Sequence, residues 1–166
     1  YALAEQLAWR SEESELHLAS GEYPRSYTMI SHIPVIDPPK LREVRAAIDQ
    51  PEVMGKYTQL PDTVSERTLE LAKSITEEQT NDYDKVKAIE QYLRQNYMYR
   101  NQPDYSKMGE DFVDSFLFNI QEGYCDYYST AMAVLVRSLE MPARWVKGYT
   151  SGSQPLEEEY PEMYLD

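Results

Sequence analysis

An α+β fold is predicted for this chain by two periodicities that occupy different stretches of the sequence. Apolar residues recur at helical spacing in three places: Val64, Leu71 and Ile75; Val86, Ile89 and Leu93; and Tyr128, Met132, Leu135, Val136 and Leu139. Strand-like alternation of bulky residues marks residues 143–149, and shorter alternating pieces occur within residues 1–36. Together they predict a helical bundle packed on an antiparallel sheet. At 166 residues the chain is long enough for one sizeable core, since a chain of this length buries roughly two-thirds of its unfolded surface.

Residues 1–56 read as a strand-containing segment followed by a linker, and residues 57–166 as the core. Leu16 and Leu18 face one way, as do Tyr27 and Met29, with Ser20-Gly21-Glu22 as a turn between them. That pattern predicts a two-stranded edge element. Residues 2–9 fit a helix as well as a strand. Pro34, Pro38 and Pro39 then break the pattern, and a short helix is expected over about residues 40–49.

The core opens on Thr63-Val64-Ser65-Glu66, a capping-box pattern in which Thr63 accepts from the Glu66 backbone N–H and the Glu66 side chain reaches back. A second helix is expected from about Asp82, capped by Asn81 or Asp82, with Val86, Ile89 and Leu93 as its buried stripe. Residues 96–99 read as a short extended piece and residues 103–109 as a loop. A short helix over residues 111–120 turns Phe112, Phe116 and Leu117 inward, with Asp111 and Asp114 balancing the dipole at its start. A third long helix follows over residues 127–139. Pro142 stops it, and residues 143–149 are expected as a β-strand.

Cys125 is the only cysteine, and it lies where the glycine turn at Gly123 feeds into that third helix. At a helix N-terminus, unsatisfied backbone N–H groups and the positive end of the macrodipole favour thiolate and can donate to an oxyanion. Cys125 is therefore the candidate nucleophile. A buried cysteine packing as a small hydrophobe is the competing reading. The polar neighbours Asp126, Ser129 and Thr130 weigh against it. A nucleophile on a packed helix is held in place, as near-attack geometry requires.

The segment from Gly123-Tyr124-Cys125 through the helix, the turn Met141-Pro142-Ala143-Arg144 and the strand ending in Gly148-Tyr149 resembles the cysteine segment of the transglutaminase-like superfamily. In that family the pattern is Gly-Tyr/His-Cys, a helix, a Leu-Arg, an Ile-Pro-Ala-Arg turn and a strand ending in Gly-Tyr. Residues 57–61, 71–76, 84–92 and 112–118 also resemble its bacterial, membrane-anchored branch, so the resemblance covers roughly residues 27–150. It implies a papain-like, transglutaminase-like core and a Cys-His-Asp triad. The family's His follows the Gly-Tyr strand in a His-Ala/Ser-Trp motif, with the Asp beyond it. Neither occurs before Asp166, and His17 and His32 lie far upstream of Cys125. The chain is accordingly expected to be a truncated portion that carries the nucleophile without its base, with a core incomplete at the C-terminus.

The activity so implied is acyl transfer through a Cys125 thioester, with a protein or peptide as substrate. A cysteine peptidase or amidase of the same fold, or a non-catalytic interaction domain, are the alternatives. The resemblance also implies an extracytoplasmic domain of a bacterial membrane protein, anchored outside these residues. No stretch approaches the roughly 18 to 20 apolar residues that span a bilayer. With 29 acidic against 16 basic residues, the net charge of −13 argues against nucleic acid as a partner. One cysteine and two distant histidines make no zinc site, there is no glycine-rich phosphate loop, and no cofactor is expected. Glu157-Glu158-Glu159 lacks the glycine turn of a calcium loop. The 15 tyrosines read as amphipathic packing at the rim of the core.

Overall fold

The fold is described by a computed structural model over residues 7–10, 15–18, 35–46, 49–148, 154–155 and 164–165. The chain divides into two compact units, Tyr1–Ile36 and Asp37–Asp166. In the first, β1 (Leu7–Arg10) pairs antiparallel with β2 (Glu15–Leu18), Leu7 opposite Leu18 and Arg10 opposite Glu15. The Leu16 and Leu18 strand is thus present. Residues 7–9, which fitted a helix equally well, are extended because they pair with it. The expected turn at Ser20-Gly21-Glu22 and the Tyr27 and Met29 strand lie outside the described residues.

The second unit begins with two short helices, α1 (Pro38–Glu43) and α2 (Pro51–Tyr57), each with proline in its first turn. Pro38 and Pro39 start a helix here where the sequence pattern suggested a break. Proline's fixed φ suits the first turn, where its missing N–H costs nothing, and the Asp37 side chain caps the end by accepting from the Lys40 N–H. The Arg42 Nε–H is shared between both carboxylate oxygens of Asp84 at 3.0 Å, and Asp82 accepts from the Ala46 N–H at 2.8 Å, which ties this segment to the start of the long helix Asp82–Asn96.

α3 (Glu66–Thr76) starts later than the capping-box pattern suggests. Ser65, not Thr63, is its N-cap, accepting from the Thr68 N–H. The Val64 N–H is already taken by the Pro61 carbonyl in a turn, so Glu66 is the first helical residue rather than the third. α4 (Asp82–Asn96) is capped by Asn81, one of the two residues expected there, and of its expected stripe Ile89 and Leu93 are buried and Val86 is half-buried. β3 (Met98–Tyr99) follows, then a 3₁₀ turn at Tyr105–Lys107 within the predicted loop. α5 (Phe112–Asp114) runs into a π-helical stretch, Ser115–Ile120. The Gln121 N–H reaches back five residues to the Phe116 carbonyl at 2.9 Å, and Gln121 itself is left-handed at φ 55°.

β4 (Glu122–Gly123) then leads directly into α6 (Cys125–Arg137). The ladder that joins the helical core is parallel, Met98 opposite Glu122 and Tyr99 opposite Gly123. The expected antiparallel sheet beneath the helices is therefore corrected to a two-residue parallel pair. Antiparallel pairing recurs further along between β5 (Gln154–Pro155) and β6 (Tyr164–Leu165). The core gathers Ala72 of α3, Ile89 and Leu93 of α4, Phe116 and Leu117 of the π stretch, and Ala131 and Leu135 of α6, each at most 3% exposed.

Residues 143–148 do not form the strand predicted over 143–149, and Tyr149 lies outside the described residues. Their anchoring comes instead from the helices. The Ala143 N–H donates to the Tyr57 carbonyl at 3.0 Å, and Arg137 donates from Nε and Nη2 to the Ala143 carbonyl and from Nη1 to the Gln59 carbonyl. Alternating bulky residues fit extended backbone, but a strand also needs a paired neighbour.

Candidate active site around Cys125

Cys125 is the first residue of α6 and its side chain is exposed. The local sequence explains why it stands there. Tyr124 is extended (φ −117°, ψ −169°) and its carbonyl accepts from the Tyr127 and Tyr128 N–H groups at 2.9 and 3.3 Å, closing the first turn. Tyr124 makes no side-chain cap, so the start of the helix keeps its donor character. Gly123 is needed on steric grounds: a Cβ there would sit 2.5 Å from Cγ of Tyr127. This close approach of β4 to α6 fixes where the helix begins.

Beneath the thiol-bearing turn lies an aromatic floor. Tyr127 is 2% exposed, and its ring lies 4.6 Å from Phe112, 5.1 Å from Tyr124 and 5.5 Å from Phe116, centroid to centroid. Burial, followed by a hydrogen bond with Tyr105, pushes the Tyr127 phenol up to about 12. Tyr124 is raised too, first by its hydrogen bond with Tyr105 and to a lesser degree by the charges of Asp126 and Cys125. Both phenols thus stay protonated near neutrality and act as neutral hydrogen-bonding groups. Tyr128 packs against Phe116 at 5.4 Å and Tyr99 at 6.0 Å. Several of the tyrosines therefore do sit at the rim of the core.

The start of α5, whose Phe112 belongs to this floor, is tied to the start of α3. Asp111 caps α5 through the Val113 and Asp114 N–H groups and also accepts from the Ser65 N–H. Asp114 takes the Ser65 hydroxyl at 2.5 Å and the Arg67 fork. The Arg67 hydrogen bonds, with help from Ser65, hold the Asp114 carboxyl below its usual range. These two carboxylates are occupied by structural partners rather than aimed at Cys125.

The Cys125 thiol donates to Asp126, whose Oδ1 lies 3.8 Å from Sγ. One turn along, the Ser129 hydroxyl donates to the Cys125 carbonyl at 2.7 Å, and the Trp145 indole N–H donates to Ser129 Oγ. A cleft of about 360 Å³ continues along this face, lined by Ser129, Met132, Ala133 and Val136 of α6 and by the segment from Pro142 to Val146. Those α6 residues lie 4, 7, 8 and 11 positions after Cys125, so they continue the stripe that begins with it. The Ser129–Trp145 link was not foreseen. A serine four residues after the cysteine is the only signal the sequence carried for it.

His17 lies in β2, in the first unit, and His32 is outside the described residues. Among the described residues no group of three or more His, Cys, Asp or Glu could hold a metal ion. Among them, too, no helix is long and apolar enough to cross a membrane.

With this geometry in hand, comparison with known proteins gives a consistent family. The model of the transglutaminase-like superfamily matches residues 69–166, and the chain belongs to that superfamily. It is 45% identical over 131 residues to the uncharacterized protein YebA of Bacillus subtilis, covering 76% of this chain and 18% of that protein. It is 33% identical over 116 residues to a protein-glutamine gamma-glutamyltransferase of Pseudomonas aeruginosa, covering 69% of this chain and 17% of that one. The chain thus spans about a fifth of the length of these relatives. Among solved structures it resembles the periplasmic domain of TgpA from P. aeruginosa bound to ethylmercury, with a TM-score of 0.51 and 30% identity over 58% of this chain and 34% of that one. A second crystal structure of that domain gives a TM-score of 0.51 at 28% identity.

Proposed function

We propose that the chain carries the nucleophile-bearing part of a thiol acyl-transfer enzyme, with Cys125 as the nucleophile and a protein or peptide as substrate. The observation that carries this reading is the placement of a lone, exposed cysteine at the first position of a packed helix whose start no side chain caps. The Cys125 thiolate attacks a carboxamide or peptide carbonyl carbon, and backbone N–H groups at the start of α6 receive the oxyanion. The C–N bond then breaks, a proton goes to the leaving nitrogen, and a thioester remains. A lysine amine or water attacks that thioester and the thiolate departs.

An amine acceptor, giving a crosslink, is favoured over water by the name of the P. aeruginosa relative, a protein-glutamine gamma-glutamyltransferase. The periplasmic origin of the TgpA domain supports an extracytoplasmic setting. Neither His17 nor His32 is assigned as the general acid. Without one, the chain by itself is expected to turn over about 10² to 10⁴ more slowly than an enzyme that has it.

Iodoacetamide tests the assignment directly. Cys125 in the folded chain should be alkylated at neutral pH faster than free cysteine. Reaction that begins only when denaturant unfolds the chain would remove the nucleophile and favour a non-catalytic interaction domain. In a complete enzyme, incorporation of a labelled primary amine into a glutamine-bearing protein, against release of new amino termini, separates transfer from peptidase activity.

A further inference from the structure

Resting on that reading, we infer that Trp145 is a positioning residue for Cys125 and acts through Ser129. The proton bookkeeping is complete at this link. Ser129 spends its hydroxyl proton on the Cys125 carbonyl at 2.7 Å, with the Asp126 carbonyl a longer alternative at 3.4 Å. That leaves an oxygen lone pair to accept the Trp145 indole N–H. The hydroxyl therefore bridges the first turn of α6 to the extended segment that follows the helix.

Trp145 also lines the cleft beside α6. It is 41% exposed, which is unusual for the largest apolar side chain, and Lys147 Nζ stands 5.4 Å from its ring centroid. Its backbone lies in a stretch without a strand ladder, two residues after Ala143. Ala143 is where the Arg137 guanidinium and the Tyr57 carbonyl hold the chain. Arg137 at the far end of α6 thus anchors Ala143, two residues of backbone lead on to Trp145, and hydrogen bonds from its indole return to Ser129 and the Cys125 carbonyl. The first turn of a helix frays most readily because it lacks half its hydrogen bonds, and this return path pins the turn on which the thiol is mounted.

The test uses the full chain with Ser129→Ala, Trp145→Phe, the double variant and Ser129→Thr. The first two should each lower the rate of Cys125 alkylation at fixed neutral pH by about two- to tenfold, the effect of one neutral hydrogen bond. The double variant should be no slower than either single, since both remove the same link. Ser129→Thr keeps the hydroxyl and should restore the rate. The Trp145 indole N–H resonance, identified by its loss in Trp145→Phe, should shift in Ser129→Ala. A purely structural role would lower the unfolding midpoint and leave the folded-state rate alone. Unchanged or raised rates in a reactive parent, multiplying effects in the double variant, or an unmoved indole resonance would each overturn the inference. A parent whose Cys125 reacts only in denaturant would instead overturn the nucleophile assignment, and the positioning role with it.

Discussion

At its amino end α6 presents Cys125 to solvent with no side-chain cap, whereas at its carboxyl end Leu135 is fully buried, Val136 is 6% exposed and Arg137 spreads over the carbonyls of Gln59 and Ala143. One helix thus divides its labour along its length. Burial of Leu135 and Val136 holds the carboxyl end, as that of Tyr127 holds the amino end, contributing roughly 25 cal/mol per Å² of apolar surface removed from water. Hydrogen bonds through Ser129 and the close contact of Gly123 with Tyr127 set the geometry of the amino end. Stability and reactivity should therefore respond to different residues.

The largest effect on stability is expected at the buried end. Leu135→Ala removes a fully buried side chain from the core and should cost about 2 to 5 kcal/mol. Its urea midpoint should fall accordingly while the alkylation rate of the remaining folded protein changes little. A comparable loss in that rate would show that the two ends are coupled.

A smaller effect is expected at Asp114, which pairs with Ser65 and Arg67 rather than with α6. Its carboxyl is held below the usual range, chiefly by Arg67 and then by Ser65. A depressed carboxyl contributes stability above its unfolded value of about 4, and that contribution is lost as pH falls through the folded-state value. Arg67 is half exposed, so screening limits the effect of Asp114→Asn to about 1 kcal/mol at neutral pH. Urea midpoints at pH 7 and pH 3 should show the variant closing on the parent in acid. A gap that widened in acid would reverse the sign of this argument.

The smallest effect on stability belongs to the residue with the largest effect on chemistry. Cys125→Ala truncates an exposed side chain, so stability should stay within about 0.5 kcal/mol. All alkylation should disappear. A large destabilisation would mean that the thiol packs in the core and would blur the contrast between the two ends.

The sequence revealed most about the helices themselves and least about how the segments between them join around the thiol. The α4 stripe of Ile89 and Leu93 and its Asn81 cap follow from periodicity and local hydrogen bonding, which a single sequence displays directly. Cys125 was legible as a lone cysteine after a glycine turn, and its place at the start of α6 agrees with that reading. The Ser65 cap was missed because two hydroxyl residues compete there, and the Pro61 turn decides between them. The parallel pairing of Met98–Tyr99 with Glu122–Gly123 involves two residues on each side, too few to show a period. The π stretch depends on the left-handed Gln121, a residue type with no marked preference for that conformation. Trp145 was expected in a strand and instead finds its partner, Ser129, through tertiary placement.

The pairing of β3 with β4 also has an entropic side. Met98 and Glu122 are far apart in the chain, so the platform on which α6 starts is held by closing a long loop. The cost of that closure rises only logarithmically with length, about 0.6 kcal/mol for each doubling. The exposed turn at residues 101–102 within that stretch can therefore take on extra residues at little thermodynamic cost while Cys125 keeps its seat, whereas the core-forming part from Val113 to Ile120 cannot.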